Sequence, residues 1–255
     1  MATTIRCVCG TTLTDDSIDA LRAQMRAHGA EVHGEFPMTE DQFEDFFATC
    51  LRQVPLTPRL DPPPVLVIEP LTPDRAADYL HFFDHHAFVD NPIWGGCYCV
   101  AYHCGTRTNQ EWVARRHAEN RAFAAERIAD GAHQGFLAYD GDHVVGWCNG
   151  NRRSAYTALP DGITNPNDPS GSIGTIICFV IGEPYRRQGL ATRLLDATLD
   201  RFRVWGLREA EAFPVKESAR DAGNFHGPLA LYEAAGFTIA AELPAQYRVV
   251  KRLTP

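Results

Sequence analysis

Five prolines fall within the eleven residues 54–64, Val-Pro-Leu-Thr-Pro-Arg-Leu-Asp-Pro-Pro-Pro. Proline fixes φ and lacks an N–H donor, so this stretch builds neither a helix nor a central strand. It reads as a linker. It divides the 255 residues into a first unit, 1–53, and a second unit, 65–255, that is long enough for one good-sized core.

The first unit reads as small and helical. Ile18, Leu21 and Met25 recur at helical spacing. Thr39-Glu40-Asp41-Gln42 is a capping box, followed by Phe43, Phe46, Phe47, Cys50 and Leu51 on one apolar face.

The second unit opens with a strand, 65–70, followed by helical stretches near 74–83 and 109–130. A hairpin is expected from 135–139 and 144–148, turning at Asp140-Gly141-Asp142. A polar loop, 149–172, precedes the most apolar strand, 173–181. An amphipathic helix follows from Gly189 to Trp205, closed by Gly206. A strand near 209–215, a helix near 228–235 and two last strands complete the chain. This order predicts an α/β or α+β domain around one sheet.

Composition narrows the function classes. With a net charge of −8 and no basic stripe, the chain does not read as a nucleic-acid binder. No apolar run approaches the roughly 20 residues a spanning helix needs, so no membrane role is expected. The start lacks a basic segment leading into an apolar one, which predicts a cytoplasmic protein. Eight cysteines are too sparse for a disulfide scaffold and read as reduced thiols.

The strand-to-helix junction Arg186-Arg187-Gln188-Gly189-Leu190-Ala191 carries chemistry. A pyrophosphate needs several converging N–H donors, and the first turn of a helix supplies them. Gly189 permits close approach, Ala191 is nearly as small, and the two arginines add positive charge. Alone, the string describes only a phosphate-binding turn.

Downstream lies Leu231-Tyr232-Glu233-Ala234-Ala235-Gly236-Phe237. The loop and this segment, in this order and separation, resemble the GNAT superfamily of N-acetyltransferases over about 65–253. The resemblance implies an α+β fold: a mixed, mostly antiparallel central sheet flanked by helices, here with the small N-terminal helical unit. It implies acetyl-CoA as cosubstrate. Phe179, Val180 and Ile181 would hold the pantetheine and polarise the thioester, while Arg186, Arg187, Gln188, Gly189, Leu190, Ala191 and Thr192 would receive the pyrophosphate. The family asparagine seven residues before the tyrosine is Phe225 here, so Asn224, eight before, is the nearest candidate for that contact. Tyr232 would serve the leaving thiolate. For the base, Glu211 (beside Glu209, on one strand face) and His226 both stand as candidates.

The acceptor pocket of this superfamily falls near Trp94–Cys104, where Trp94 and Tyr98 would form an aromatic wall and Asp84 or Asp90 would anchor an amine. Cys97, Cys99, His103 and Cys104 form a poor metal set, because a one-residue gap between cysteines is too short for a zinc knuckle. Cys7, Cys9, His28 and His33 form a better one. The His-x-x-x-x-His spacing suits zinc, and a 53-residue unit benefits from a metal staple. The first unit also resembles a family of small predicted metal-binding proteins with an N-terminal cysteine and a His-x-x-x-x-His-Gly ending.

The function expected is acetyl transfer from acetyl-CoA to a primary amine of a small molecule, by direct attack in a ternary complex. The alternatives are a catalytically weak acyl-CoA sensor or a metal-responsive regulator on the same fold. Whether the chain forms a homodimer is left open.

Overall fold

A computed structural model describes residues 2–254 other than 35–37, 59–64, 106–107, 161–167 and 218–220. The second half of the proline-rich linker therefore lies outside the described residues. Its first half packs on the second unit, where the Val54 N–H donates to the His85 carbonyl at 2.6 Å and Leu56 joins the core.

The first unit holds a hairpin as well as the two expected helices. Strand β1 (Thr3–Arg6) pairs antiparallel with β2 (Thr12–Asp15). Helix α1 (Ile18–Val32) follows, capped by Ser17. Helix α2 (Glu40–Arg52) starts at the Thr39 capping box, in which Thr39 N–H donates to Gln42 Oε1 at 2.8 Å and Gln42 N–H to Thr39 Oγ1 at 3.3 Å. Ile5, Cys7, Leu21, Met25, Phe43, Phe46, Phe47 and Cys50 form its core. The four-residue strands lack a clear alternating pattern, so the hairpin was not legible in the sequence.

The second unit begins with β3 (Leu66–Pro70) and α3 (Ala76–His85). The expected helix over 109–130 is broken into α4 (Asn109–Val113) and α5 (His117–Ala129). Arg116 leaves the helical region at φ −78°, ψ 147° and starts α5 afresh, its N–H donating to Glu119. The hairpin is β4 (Gly135–Asp140) and β5 (His143–Arg152). Strand β5 extends four residues into what reads as a polar loop. Asn149 is buried there, giving its amide to the Cys99 carbonyl and accepting from Tyr156. Strand β6 (Ile173–Ile181), helix α6 (Leu190–Val204), β7 (Glu209–Ala212), α7 (Leu229–Ala234), β8 (Thr238–Glu242) and β9 (Tyr247–Arg252) complete the chain.

The seven strands run in the order β3-β4-β5-β6-β7-β9-β8, antiparallel except for β6 and β7. This is the mixed, mostly antiparallel sheet that the sequence predicts. Helices α6 and α7 cover one face, with Leu190, Leu194, Leu195, Leu199 and Phe202 buried. Helices α3 and α5 and the turn around Tyr98–Val100 cover the other. Burial of such aliphatic and aromatic side chains, at about 25 cal/mol per Å² of apolar area, is the main force holding the layers together.

The N-terminal unit packs on the second unit through α2. Asp45 takes a bidentate bond from Arg116 (2.7 and 3.0 Å), Gln42 donates to the Val113 carbonyl (3.0 Å), and Gln53 donates to the Phe83 and Asp84 carbonyls.

Candidate active site

Strands β6 and β7 pair only over Ile173–Ile176 and Glu209–Ala212. Beyond that point they part, and among the described residues, 177–181 have no strand partner on the β7 side. An irregularity in the β5–β6 register at Asn149/Gly150 lies just before the divergence. Past the end of β6, the chain enters α6 through Arg187 (φ +59°) and Gly189 (φ +77°). Both are left-handed, which glycine adopts freely and arginine at a cost of about 1–2 kcal/mol. The turn leaves the first N–H groups of α6 without helical partners, at the positive end of its dipole.

Arg187, Gln188 and Gly189 are exposed. Gln188 donates to the Pro184 carbonyl at 2.7 Å. Leu190 is buried under the helix; Ala191 and Thr192 follow in the first turn. Arg186 turns out to be structural. Its Nε donates to the Ile181 carbonyl at 2.8 Å, and its two terminal nitrogens grip both oxygens of Asp90 at 2.5 and 3.0 Å. Burial would raise the Asp90 pKa, yet the Arg186 guanidinium holds it below its ordinary value. Asp90 is therefore an arginine partner and not an amine anchor.

The gap between β6 and β7 is partly filled by the chain's own turn. Phe179 N–H donates to the Phe225 carbonyl at 2.6 Å. His226 Nδ1 donates to the Ile177 carbonyl at 2.6 Å, and the Tyr102 hydroxyl lies 3.2 Å from His226 Nε2. A carbonyl only accepts, so the His226 proton sits on Nδ1 and Nε2 accepts from Tyr102. Burial pushes the His226 pKa down to about 4. With both nitrogens engaged and the ring buried, His226 pins the turn to β6 and is not placed to act as a base. Asn224 caps that turn, its carbonyl accepting from Gly227 N–H at 2.7 Å. Tyr232 is fully buried and its hydroxyl donates to the His226 carbonyl at 2.5 Å.

Glu211 is also corrected. It is fully buried, bonded to Arg153 through Oε1, to Thr175 Oγ1 at 2.7 Å and to Arg248 Nε at 2.7 Å. Two arginines and a hydroxyl hold the carboxylate in the core, and Glu211 does not line the cavity at the end of β6, so it is not placed to take an amine proton. The sequence reading missed Arg153 and Arg248 because nothing in their spacing links them to β7.

A cavity of about 1250 Å³ opens beside the end of β6. Cys178 and Val180 of β6 line it, with Trp94, Phe225, Tyr102 and Cys97. Trp94 meets Phe225 edge to face, with ring centroids 5.3 Å apart. Trp94, expected on an aromatic wall, thus lines this cavity. Tyr98 and Asp84 are not part of it. The Tyr98 ring is buried, and its hydroxyl donates to Asp84 at 2.6 Å, while Arg121 grips the same carboxylate at 2.9 and 3.0 Å. The other side of the cavity comes from the N-terminal unit and the α4–α5 junction: Asp41, Asp45 and Phe46 of α2, then Arg115, Arg116 and His117. These residues were invisible in the sequence, because the linker implied separate units and the helix break at Ala114–Arg116 has no proline or glycine to mark it.

In the first unit, Cys7, Cys9, His28 and His33 converge, their ligand atoms all within 4.8 Å of one another. Cys7 Sγ lies 3.3 Å from His33 Nε2, and Cys9 Sγ 3.3 Å from His28 Nε2. A tetrahedral zinc with S and N ligands at about 2.3 and 2.0 Å separates them by about 3.5 Å, so the set fits that ion. Among the described residues this is the one such group; Cys97, Cys99, His103 and Cys104 do not form another. His103 instead bonds Asn149 and the Ala155 carbonyl.

The parted strands beside a helix N-terminus define a GNAT-like fold. Residues 97–237, more than half of the chain, match the acetyltransferase (GNAT) family, and the protein belongs to it. Solved structures similar to the chain include yncA, a putative acetyltransferase from Salmonella typhimurium with its cofactor acetyl-CoA (13% identity, 74% of this chain and 94% of that chain, TM-score 0.46). Others are the GNAT domain of PAT from S. lividans (15%, 73% and 89%, 0.47) and the PaiA N-acetyltransferase from Thermoplasma acidophilum in complex with coenzyme A (9%, 73% and 98%, 0.44). No curated protein matches the chain. Among the described residues, no helix is long and apolar enough to cross a membrane.

Proposed function

We propose that the protein transfers an acetyl group from acetyl-CoA to a primary amine of a small molecule, by direct attack within a ternary complex. The observation that carries this reading is the divergence of β6 from β7 after Ile176/Ala212, with the far end of β6 lining a cavity and leading into the α6 loop. Pyrophosphate would sit on the first turn of α6, with Arg187 and Gln188 beside it. Pantetheine would run along residues 177–181 and bring the thioester to Val180. For this the Phe225 turn must release the Phe179 N–H, which then becomes a donor for the pantetheine or the thioester oxygen. The same movement takes the His226 carbonyl away from Tyr232, whose hydroxyl is then available to the leaving thiolate. The cavity exceeds the common range of about 300–1,000 Å³ for small-ligand pockets, enough for the acyl end of the donor and an acceptor together. Its aromatic lining suits a small molecule.

The test is a CoA-release assay over amines, aminoglycosides, amino acids and polyamines. Turnover with some acceptor, abolished by Arg187→Glu/Gly189→Trp, is expected. Acetyl-CoA binding with no release above background for any acceptor would favour the sensor alternative.

A second reading rests on the convergence of Cys7, Cys9, His28 and His33. These residues would hold one zinc ion that staples the β1–β2 turn to the end of α1, a structural contribution. Elemental analysis of purified protein should find one equivalent; finding none would end this reading.

A further inference from the structure

Glu211 is held by Arg153 and Arg248, and His226 travels with the turn that the donor displaces, so the groups on the other walls of the cavity have to be weighed in their place. Asp41 and Asp45 are there, but Arg116 grips Asp45 and lies 3.2 Å from Asp41. Burial pushes the Cys97 thiol up to about 12, the Cys99 contact and burial raise the Cys178 thiol well above its ordinary value, and the buried Cys99 Sγ is taken up by Asn149, which donates to it at 3.3 Å. Tyr102 turns its hydroxyl to His226. His117 remains, the first residue of α5, and the hydrogen bonds around it fix its tautomer.

Thr49 Oγ1 donates to the Asp45 carbonyl at 2.9 Å. That commits the only hydroxyl proton to a group that can only accept. The contact between Thr49 Oγ1 and His117 Nδ1, at 3.1 Å, must therefore have the imidazole as donor. A neutral ring with its proton on Nδ1 carries a lone pair on Nε2. Among the described residues no donor reaches Nε2. Gly96 makes room for the ring edge: a Cβ there would lie 1.9 Å from His117 Cδ2 and 2.4 Å from Nε2. Burial lowers the His117 pKa, so the ring is neutral near pH 7, and the residue lines the cavity. The charges facing it are Asp41, Asp45 and Arg52 of α2, and Arg115 and Arg116 beside it.

We propose that His117, oriented by Thr49 across the interface between the two units, is the general base for the acceptor amine. The inference rests on the acyl-transfer reading above. The acceptor ammonium gives one proton to Nε2. The freed lone pair forms the C–N bond to the thioester carbon, and the C–S bond breaks with its electrons on sulfur. A second amine proton ends on that sulfur as CoA thiol, and the imidazolium returns the first to solvent. The N-terminal unit is then part of the catalytic apparatus, since Thr49 holds the tautomer.

The experiment is steady-state kinetics of the full chain with an amine that supports turnover, comparing wild type, His117→Gln and Thr49→Val. General-base catalysis contributes typically about 10²–10⁴-fold, so His117→Gln should lower kcat by about 100-fold or more. Acetyl-CoA affinity should stay unchanged, which also reports folding. The acidic limb of the wild-type kcat/KM profile should disappear in the variant, and added imidazole should restore part of the rate. A packing role alone would not move that limb or respond to imidazole. Thr49→Val keeps the volume but frees the tautomer, and should cost up to about tenfold in kcat, the weight of one hydrogen bond. The proposal is overturned if His117→Gln keeps the wild-type rate, if the variant retains the acidic limb, or, should His117→Gln fail to fold, if Thr49→Val is fully active. A wild type that releases no CoA with any amine overturns the acyl-transfer reading and this inference with it.

Discussion

Phe179 and Phe225 are hydrogen-bonded through their main chains at 2.6 Å, across the gap that opens where β6 leaves β7. The bond places the chain's own backbone where an extended ligand would pair. Since Phe225 also touches Trp94, its displacement has an optical readout. Adding acetyl-CoA should change tryptophan emission. Trp94→Phe should remove most of that change without altering affinity by more than a few-fold. Identical titrations for the two proteins would mean that the turn stays in place.

The α6 entrance can be tested apart from the fold. No atom lies within 4 Å of a Cβ built at Gly189, whose φ is +77°. A side chain there meets open space and carries only the left-handed backbone cost of about 1–2 kcal/mol. Gly189→Trp should therefore fold, with a modest fall in Tm, but weaken acetyl-CoA binding by at least about tenfold, or about 1.4 kcal/mol. Calorimetric titration measures it.

Glu211 should behave as a structural residue. Removing one member of a buried ion pair leaves the other charge uncompensated and typically costs about 3–5 kcal/mol. Glu211→Ala is expected to lower stability by that order, since Arg153 is 5% exposed. The double change Glu211→Leu/Arg153→Met should recover much of it. Denaturant unfolding gives the comparison, and a fully stable Glu211→Ala with a selective loss of kcat would restore Glu211 as a base candidate.

Acid should destabilise the protein in a defined window. His103 and His226 are both buried, with desolvation pushing each pKa down to about 4. The unfolded chain, with histidines near 6.5, binds more protons than the folded one between these values. Stability is then fully present above about pH 6.5 and falls as the pH drops towards 4, by about 3 kcal/mol for each histidine at the low end. Unfolding midpoints measured between pH 7 and 4 should slope accordingly, and Tyr102→Phe, which removes the donor to His226 Nε2, should alter the slope.

Much of the fold was legible in the sequence because its signals are local. Strand 173–181, the helix from the Gly189 junction to Gly206 and the Thr39 capping box depend on residues a few positions apart. The Cys7/Cys9/His28/His33 set reaches further, over 27 residues, yet stays within the first unit, where its ligand atoms converge. What failed was long-range pairing. Glu211 looks like a solvent-facing strand carboxylate until Arg153 and Arg248 arrive from distant segments. Asp84 looks like an anchor until Arg121, 37 residues on, takes it. His117 carried no motif at all, since its environment is assembled from α2, beyond the linker.

Cys7 and Phe46 belong to the same eight-residue core of the N-terminal unit, the first itself a candidate metal ligand and the second on the cavity wall. A core that small has no slack to absorb a rearrangement at one end. Loosening the hairpin would therefore be felt as a change in the shape presented to the acceptor, while the α6 entrance is left as it was. With zinc held there as proposed, chelation should alter which amines are accepted before it alters the hold on acetyl-CoA.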